Sequence, residues 1–261
     1  MTIHDDANDR MTVQAAMAPL MGESRISAPL TSQLLAGAVL TVLERRADWL
    51  QVRGADGYEG WTHIGYLTPC TGNESSWRLS LGCVVQENNG VARALPLGAR
   101  LAPDTRVLHG ECVDAASQRE RFASTAQAVA VSAAMRFSGA SYLWGGVTPW
   151  GCDCSGFVQQ LFALHGVSLP RDACQQALLG EQITTDATDA HRPGDLIYFS
   201  DRDDARVTHV GVALSDARMA HSALQRGGVA IEQLEADNEY AARLRAQCVT
   251  VQRLPFPDDA R

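Results

Sequence analysis

The sequence has no apolar run long enough to cross a membrane. Its richest small-apolar stretch, Ala126 to Met135, is broken by Gln127 and Ser132 and falls far short of the ~20 residues that a spanning helix needs. Basic residues are scarce: 22 Lys and Arg stand against 30 Asp and Glu, a formal charge of −8. That argues against nucleic acid as the main partner, because phosphate binding needs a basic surface, and it suits a cationic ligand such as a free amine. The first ten residues carry three aspartates and lack the basic segment and apolar block of a secretory signal, so the expected location is the cytoplasm. The seven cysteines are an odd number scattered over 261 residues, unlike the dense framework of a small disulfide-stapled domain. They are read as mostly reduced thiols, of which at least one is a catalytic candidate. No P-loop and no strand-linked dinucleotide fingerprint occurs. Cys152-x-Cys154, even with Cys174 and His165, lacks the paired C-x₂-C or H-x₃-H spacing of a zinc site. Neither a metal nor an organic cofactor is expected.

What is present supports a packed core. Hydrophobic residues make up 46% and charged residues 20% of a length that suits two or three domains. From about Thr12 to Leu67 the pattern is β: Val39–Leu43, Trp49–Val52 and Gly60–Thr62 read as short strands around a Gly54–Gly57 turn, which suggests a small barrel. The stretch from Trp77 to His109 has the same texture, with strands at Cys83–Val85 and Val91–Ala94 joined by a turn at residues 88–90. Beyond Gln118 the texture changes. Phe122, Ala126, Val129, Ala133 and Phe137 recur at helical spacing before Gly139. Phe157, Leu161 and Leu164 mark a second helix that ends near Gly166. Strands follow at Leu196–Phe199, Val207–Leu214 and around Met219–Ala223, then a helix near Glu239–Arg245 and a last strand near Cys248–Leu254. Helices followed by adjacent strands imply an α+β fold with an antiparallel sheet.

The chemistry concentrates around Cys154. It follows a glycine-rich approach and stands where a loop becomes a helix, a place where the helix end favours a thiolate. A thiol nucleophile needs a base. In Val207–Leu214 the residues Val210, Val212 and Leu214 share one face, leaving His209, Gly211 and Ala213 on the other, which is expected to open onto a substrate space. If Leu214 pairs with Arg218 across a short turn, His209 and His221 become diagonal neighbours on one face. His221 then accepts the proton on the far nitrogen of His209 and fixes its orientation.

Five separated motifs occur in order: Tyr142-x-Trp144-Gly145-Gly146, Asp153-Cys154-Ser155-Gly156-Phe157-Val158, Leu169-Pro170-Arg171-Asp172-Ala173, Pro193-Gly194-Asp195-Leu196 and His209-Val210-Gly211, with His221 twelve residues on. Together they resemble the NlpC/P60 cysteine peptidases, which have a papain-like α+β fold. Gly37, Trp49, Val52 and Asp56-Gly57-Tyr58-x-Gly60-Trp61 resemble the bacterial SH3-type modules of the same enzymes. The resemblance implies an SH3-like domain over 11–69, a second, degenerate one over 70–115 and a peptidase domain over 120–256. It also implies γ-D-glutamyl-L-diamino acid endopeptidase activity on murein peptides with a free N-terminal L-Ala. Carried onto this chain, Cys154 is the nucleophile, His209 the base, His221 the third member and Tyr142 an oxyanion donor beside the Cys154 N–H. Ser155 and Asp172 match substrate-binding positions, with Asp172 on the free α-amine. Tyr58 and Glu23 resemble residues by which the SH3 module closes the amine pocket. Competing readings are a secreted hydrolase of intact murein, a catalytically inactive wall-fragment-binding protein, and another thiol acyl transferase or amidase of similar topology. Oligomeric state is open at this point.

Overall fold

Short leucine- and valine-bearing runs separated by glycine turns build the first half of the chain. A computed structural model describes residues 10–70, 77–87, 89–187, 191–215 and 217–256; the first nine residues, Asn88 of the turn read at 88–90 and Asp216 of the turn after Leu214 lie outside the described residues. The contacts divide the chain into two units, residues 1–118 and 119–261.

In the first unit, β1 (Arg10–Val13), β2 (Met17–Met21), β3 (Leu30–Leu35), β4 (Val39–Arg46), β5 (Trp49–Arg53), β6 (Glu59–His63) and β7 (Leu67–Pro69) form one antiparallel sheet in the order β3-β2-β6-β5-β4-β1-β7. The period-2 rule acts visibly in β4, where Leu40 and Val42 turn inward and Thr41 and Leu43 outward. Leu40 and Val42 join Val13, Leu20, Leu50, Val52 and Leu67 in one core. The turn from β5 to β6 needs Gly57, which sits at φ +80°. The stretch read as a second small barrel forms three strands, β8 (Arg78–Gln86), β9 (Ala92–Leu101) and β10 (Val107–Val113), in the order β10-β8-β9. The Arg100 N–H donates to the Ala36 carbonyl at 2.8 Å, tying this sheet to the first within the unit.

The helix read from Phe122 to Phe137 forms only as α2 (Ala126–Met135), and a separate helix, α1 (Ala115–Arg121), ends just before Phe122. Thr125 breaks the run: its backbone is extended and its hydroxyl accepts the Ala128 N–H at 3.2 Å as an N-cap. The hairpin of β11 (Val147–Thr148) and β12 (Gly151–Cys152) leads into α3 (Cys154–Leu164), followed by the short α4 (Ala173–Gln176). The helix α3 buries Phe157, Val158, Leu161 and Phe162 completely. The strands β13 (Glu181–Thr184), β14 (Leu196–Phe199), β15 (His209–Ala213), β16 (Arg218–Ala223), β17 (Gly228–Gln233) and β18 (Cys248–Arg253), with α5 (Glu239–Gln247) before the last, form an antiparallel sheet in the order β13-β18-β14-β15-β16-β17.

Both faces of this sheet are covered. The helix α3 packs on β15 from one side. On the other, Ile197, Phe199, Ala213, Met219 and Val251 meet Leu234, Leu244 and Tyr240. The face carrying His209, Gly211 and Ala213 is therefore closed over most of its length, against the expectation of open space. The short helix α5 supplies Leu244 and Tyr240 as the cover, and only His209, at the start of its strand, stays partly exposed.

Candidate active site

Cys154 is the first residue of α3, and Asp153 caps that helix by accepting the Gly156 N–H at 2.7 Å. The same carboxylate binds two other segments. Its Oδ2 accepts the Gly145 N–H at 2.9 Å and Arg171 Nη2 at 2.6 Å, and its Oδ1 accepts Arg171 Nη1 at 3.1 Å. Arg171 is 2% exposed and Asp153 6%, so this fork joins the Tyr142–Gly146 loop, the start of α3 and the Leu169–Asp172 segment inside the protein. Packing here is tight. A Cβ at Gly156 would stand 2.2 Å from the Gly146 carbonyl oxygen, a backbone atom that has no rotamer to escape into. Gly156→Ala is expected to lower stability by about 1–3 kcal/mol, measured by thermal unfolding; an unchanged melting temperature would contradict this packing.

Burial governs the nucleophile. The helix end was expected to lower the Cys154 thiol. Instead burial, followed by the negative charge of Asp153, pushes it up to about 12, while N–H groups of Val210 and Ser155 donate to the sulfur and oppose that rise. His209 is affected in the opposite direction: burial, then the neighbouring His221, lowers it to about 3. Thiol and imidazole are both neutral at rest near pH 7. The Val210 contact sets the sulfur beside the start of β15, the strand that carries His209.

The register of β15 and β16 is the one read from the sequence. Val212 pairs with Ala220 and Ala213 with Met219, and the Leu214 N–H donates to the Arg218 carbonyl at 2.8 Å. His209 and His221 are thus diagonal neighbours, with Nε2 of the first 2.8 Å from Nδ1 of the second. Gly211, on the same strand face as His209, has no room for a side chain: a Cβ there would strike Met219 Sδ at 2.3 Å.

Tyr142 lies half-buried in the loop before β11, its N–H donating to the Gly227 carbonyl at 2.9 Å. Burial, then the nearby charges of Cys154 and Asp153, push its phenol up to about 12, so it stays a proton donor at neutral pH. Ser155 is placed inward. Its hydroxyl donates to Asp153 Oδ1 at 3.4 Å and accepts from Arg171 Nη1 at 2.9 Å, so the side chain completes the Asp153 fork and is not turned toward open solvent. Asp172 is partly buried at the N-cap of α4, where its side chain makes no capping bond. Cys152 is fully buried, and burial pushes its thiol up to about 11.

Glu23 and Tyr58 stand in the first unit. The Glu23 carboxylate is gripped by Arg25 at 3.0 and 3.1 Å on an exposed turn, and Tyr58 packs against the core of its own sheet. Among the described residues no group of three or more His, Cys, Asp or Glu side chains is placed to hold a metal ion. His165, one of the ligand candidates, has both ring nitrogens engaged, with the Ala123 carbonyl at 2.8 Å and Ser132 Oγ at 2.9 Å. Residue patterns had assigned no role to Asp153, Arg171, Arg226 or Glu232. The first two lie inside quoted motifs but 18 positions apart, and only the fold shows that they meet.

Residues 139–246 match the NlpC/P60 family, and residues 20–64 match the bacterial dipeptidyl-peptidase SH3 domain. The gamma-D-glutamyl-L-lysine dipeptidyl-peptidase of Bacillus cereus is 25% identical over 257 residues, covering 83% of this chain and 75% of that protein. The protein of the same name from Bacillus subtilis is 40% identical over 87 residues; there the match covers 33% of this chain and only 28% of the relative's length. A crystal structure of an NlpC/P60 family protein from Bacillus cereus superposes with a TM-score of 0.76 at 20% identity, over 94% of this chain and 100% of that one. An NlpC/P60 endopeptidase from Photobacterium damselae gives 0.67 at 13% identity, over 94% of this chain and 71% of that one. Residues 139–246 are thus an NlpC/P60 cysteine-peptidase domain, preceded by a bacterial SH3 domain over residues 20–64.

Proposed function

We propose that this peptidase hydrolyses murein peptides, cutting between γ-linked D-Glu and the diamino acid and releasing L-Ala-γ-D-Glu. Relatives named for the γ-D-glutamyl-L-lysine bond support the choice of bond. The observation that carries the catalytic reading is the 2.8 Å contact between His209 Nε2 and His221 Nδ1. It occupies the far nitrogen of His209 and leaves Nδ1 for the Cys154 thiol.

The neutral pair then works as nucleophile and general base. As Sγ attacks the γ-carbonyl, its proton passes to His209 Nδ1. The Tyr142 hydroxyl and the Cys154 N–H donate to the developing oxyanion, where such donors gain most. His209 returns the proton to the departing amine and leaves a thioester. It next takes a proton from water, which attacks the thioester and restores the thiol.

Asp172 is the proposed partner of the substrate's free α-amine. It directly follows Arg171, which is locked to the Asp153 cap of the nucleophile's helix, and that attachment supports the reading. An acylated amine would leave that carboxylate without its cation, at a cost of about 1–3 kcal/mol. The free tripeptide L-Ala-γ-D-Glu-diaminopimelate is therefore expected to be cleaved about 10- to 100-fold better, in kcat/KM, than its N-acetyl form. Asp172→Asn is expected to shrink that preference. Equal rates on the two substrates, measured by chromatography of the products, would contradict it. We read the biological role as recycling of soluble wall fragments, with the cytoplasm as its location; cell fractionation tests this.

A further inference from the structure

The polar chain that starts at His209 continues past His221. His221 is fully buried on β16. It pairs with Ala230 of β17, so Glu232, two residues along, is its diagonal neighbour on the same face. His221 Nε2 has no hydrogen-bond partner among the described residues and faces Glu232 Oε1 at 3.7 Å, an ion-pair distance. Glu232 is in turn clamped by Arg226, with Nε to Oε1 at 2.5 Å and Nη2 to Oε2 at 2.8 Å. The Arg226 guanidinium lies 4.1 Å over the ring of Tyr240 of α5, and that ring stands 6.3 Å from the His221 ring.

The chemistry of this chain runs in one direction. A carboxylate only accepts, so the His221 nitrogen facing it keeps its proton. Nδ1 of His221 is then a lone pair and accepts from His209 Nε2–H. His209 Nδ1 is left unprotonated, the form able to take the Cys154 proton. We propose that Glu232, held by Arg226, is a positioning residue that sets the tautomer of both imidazoles and supports the positive charge they acquire during turnover.

This rests on reading Cys154, His209 and His221 as the catalytic triad. The charged and titratable groups facing His221 are His209 from β15, Glu232 from β17, Arg226 from the turn before β17 and Tyr240 from α5. Arg243 lies over the Tyr240 ring at 5.0 Å, and Cys154 stands beside β15. The carboxylate is not itself protonated in this range. Burial alone would raise it, but His221 and Arg226 together bring it down to about 2.

The test uses the full chain with Glu232→Gln, Arg226→Gln and Glu232→Met. The acid limb of kcat/KM against pH reports the protonation of the base. Removing the negative charge in Glu232→Gln makes the imidazole pair harder to protonate, so the limb moves down by about 1 in pH. Removing the cation in Arg226→Gln moves it the opposite way. Glu232→Gln is expected to lower kcat about 10-fold or more with KM nearly unchanged. A purely structural role would reduce activity without opposed movements, so limbs that stay put or move together would overturn the proposal. Imidazole ¹⁵N spectra at neutral pH give a readout that needs no substrate. Wild type should show both histidines protonated on Nε2, and Glu232→Met, which offers no acceptor, should show mixed tautomers. Wild-type His221 protonated on Nδ1 would also overturn it. Absence of peptide cleavage with the expected tautomers would instead reject the triad reading and leave the relay standing.

Discussion

Cys154→Ala is expected to abolish peptide cleavage, lowering kcat by at least about 10⁴-fold, while the protein stays folded. The size of the effect follows from the division of labour proposed above. Cys152, two residues away, is no substitute: it is fully buried in the strand before the helix and its sulfur is engaged by the Ser222 side chain. The fold should survive because the helix start is held by Asp153, not by the sulfur. Asp153 keeps its bonds from Gly145, Gly156 and Arg171 in this variant. Circular dichroism and a thermal melt check the fold, and product analysis checks the rate. Residual turnover within tenfold of wild type would remove Cys154 from the mechanism.

Arg171→Met is expected to cost about 3–5 kcal/mol of stability, because it leaves the Asp153 charge buried without its cation. The pair is enclosed, with side-chain exposures of 2% for Arg171 and 8% for Asp153, so water does not rescue it. Ser155 loses its donor in the same step. Arg171→Lys restores the charge but not the planar fork and should recover only part of the loss. Activity should fall with stability, since the fork positions both the Gly145 loop and the first turn of α3. A melting temperature close to wild type for Arg171→Met would mean that Asp153 is sufficiently served by its backbone donors alone.

Much of the peptidase half was readable in the residues. Phe157, Leu161 and Leu164 mark α3 because its buried stripe follows helical spacing, and Leu196–Phe199 is the strand it was read to be. The pairing of His209 with His221 followed from strand alternation and one short turn. Other features depend on contacts that periodicity does not encode. The break at Thr125 depends on a single side-chain cap inside a run whose helical spacing continues across it. The covered face of β15 depends on where α5 docks, and that helix is short and mostly polar on the outside. Glu232 was invisible because β17 alternates weakly and its register is needed before Glu232 can be placed beside His221. The thiol reverses the simple rule of helix ends for an equally local reason: burial and the carboxylate of Asp153 outweigh two N–H donors.

One reaction tests the bond and the nucleophile together. Purified protein with a reduced thiol, incubated with L-Ala-γ-D-Glu-meso-diaminopimelate and followed by mass spectrometry, should release L-Ala-γ-D-Glu and free diaminopimelate, and Cys154→Ala should release neither. Release of free L-Ala instead, or equal cleavage by the Cys154→Ala variant, would contradict the bond and the nucleophile assigned above.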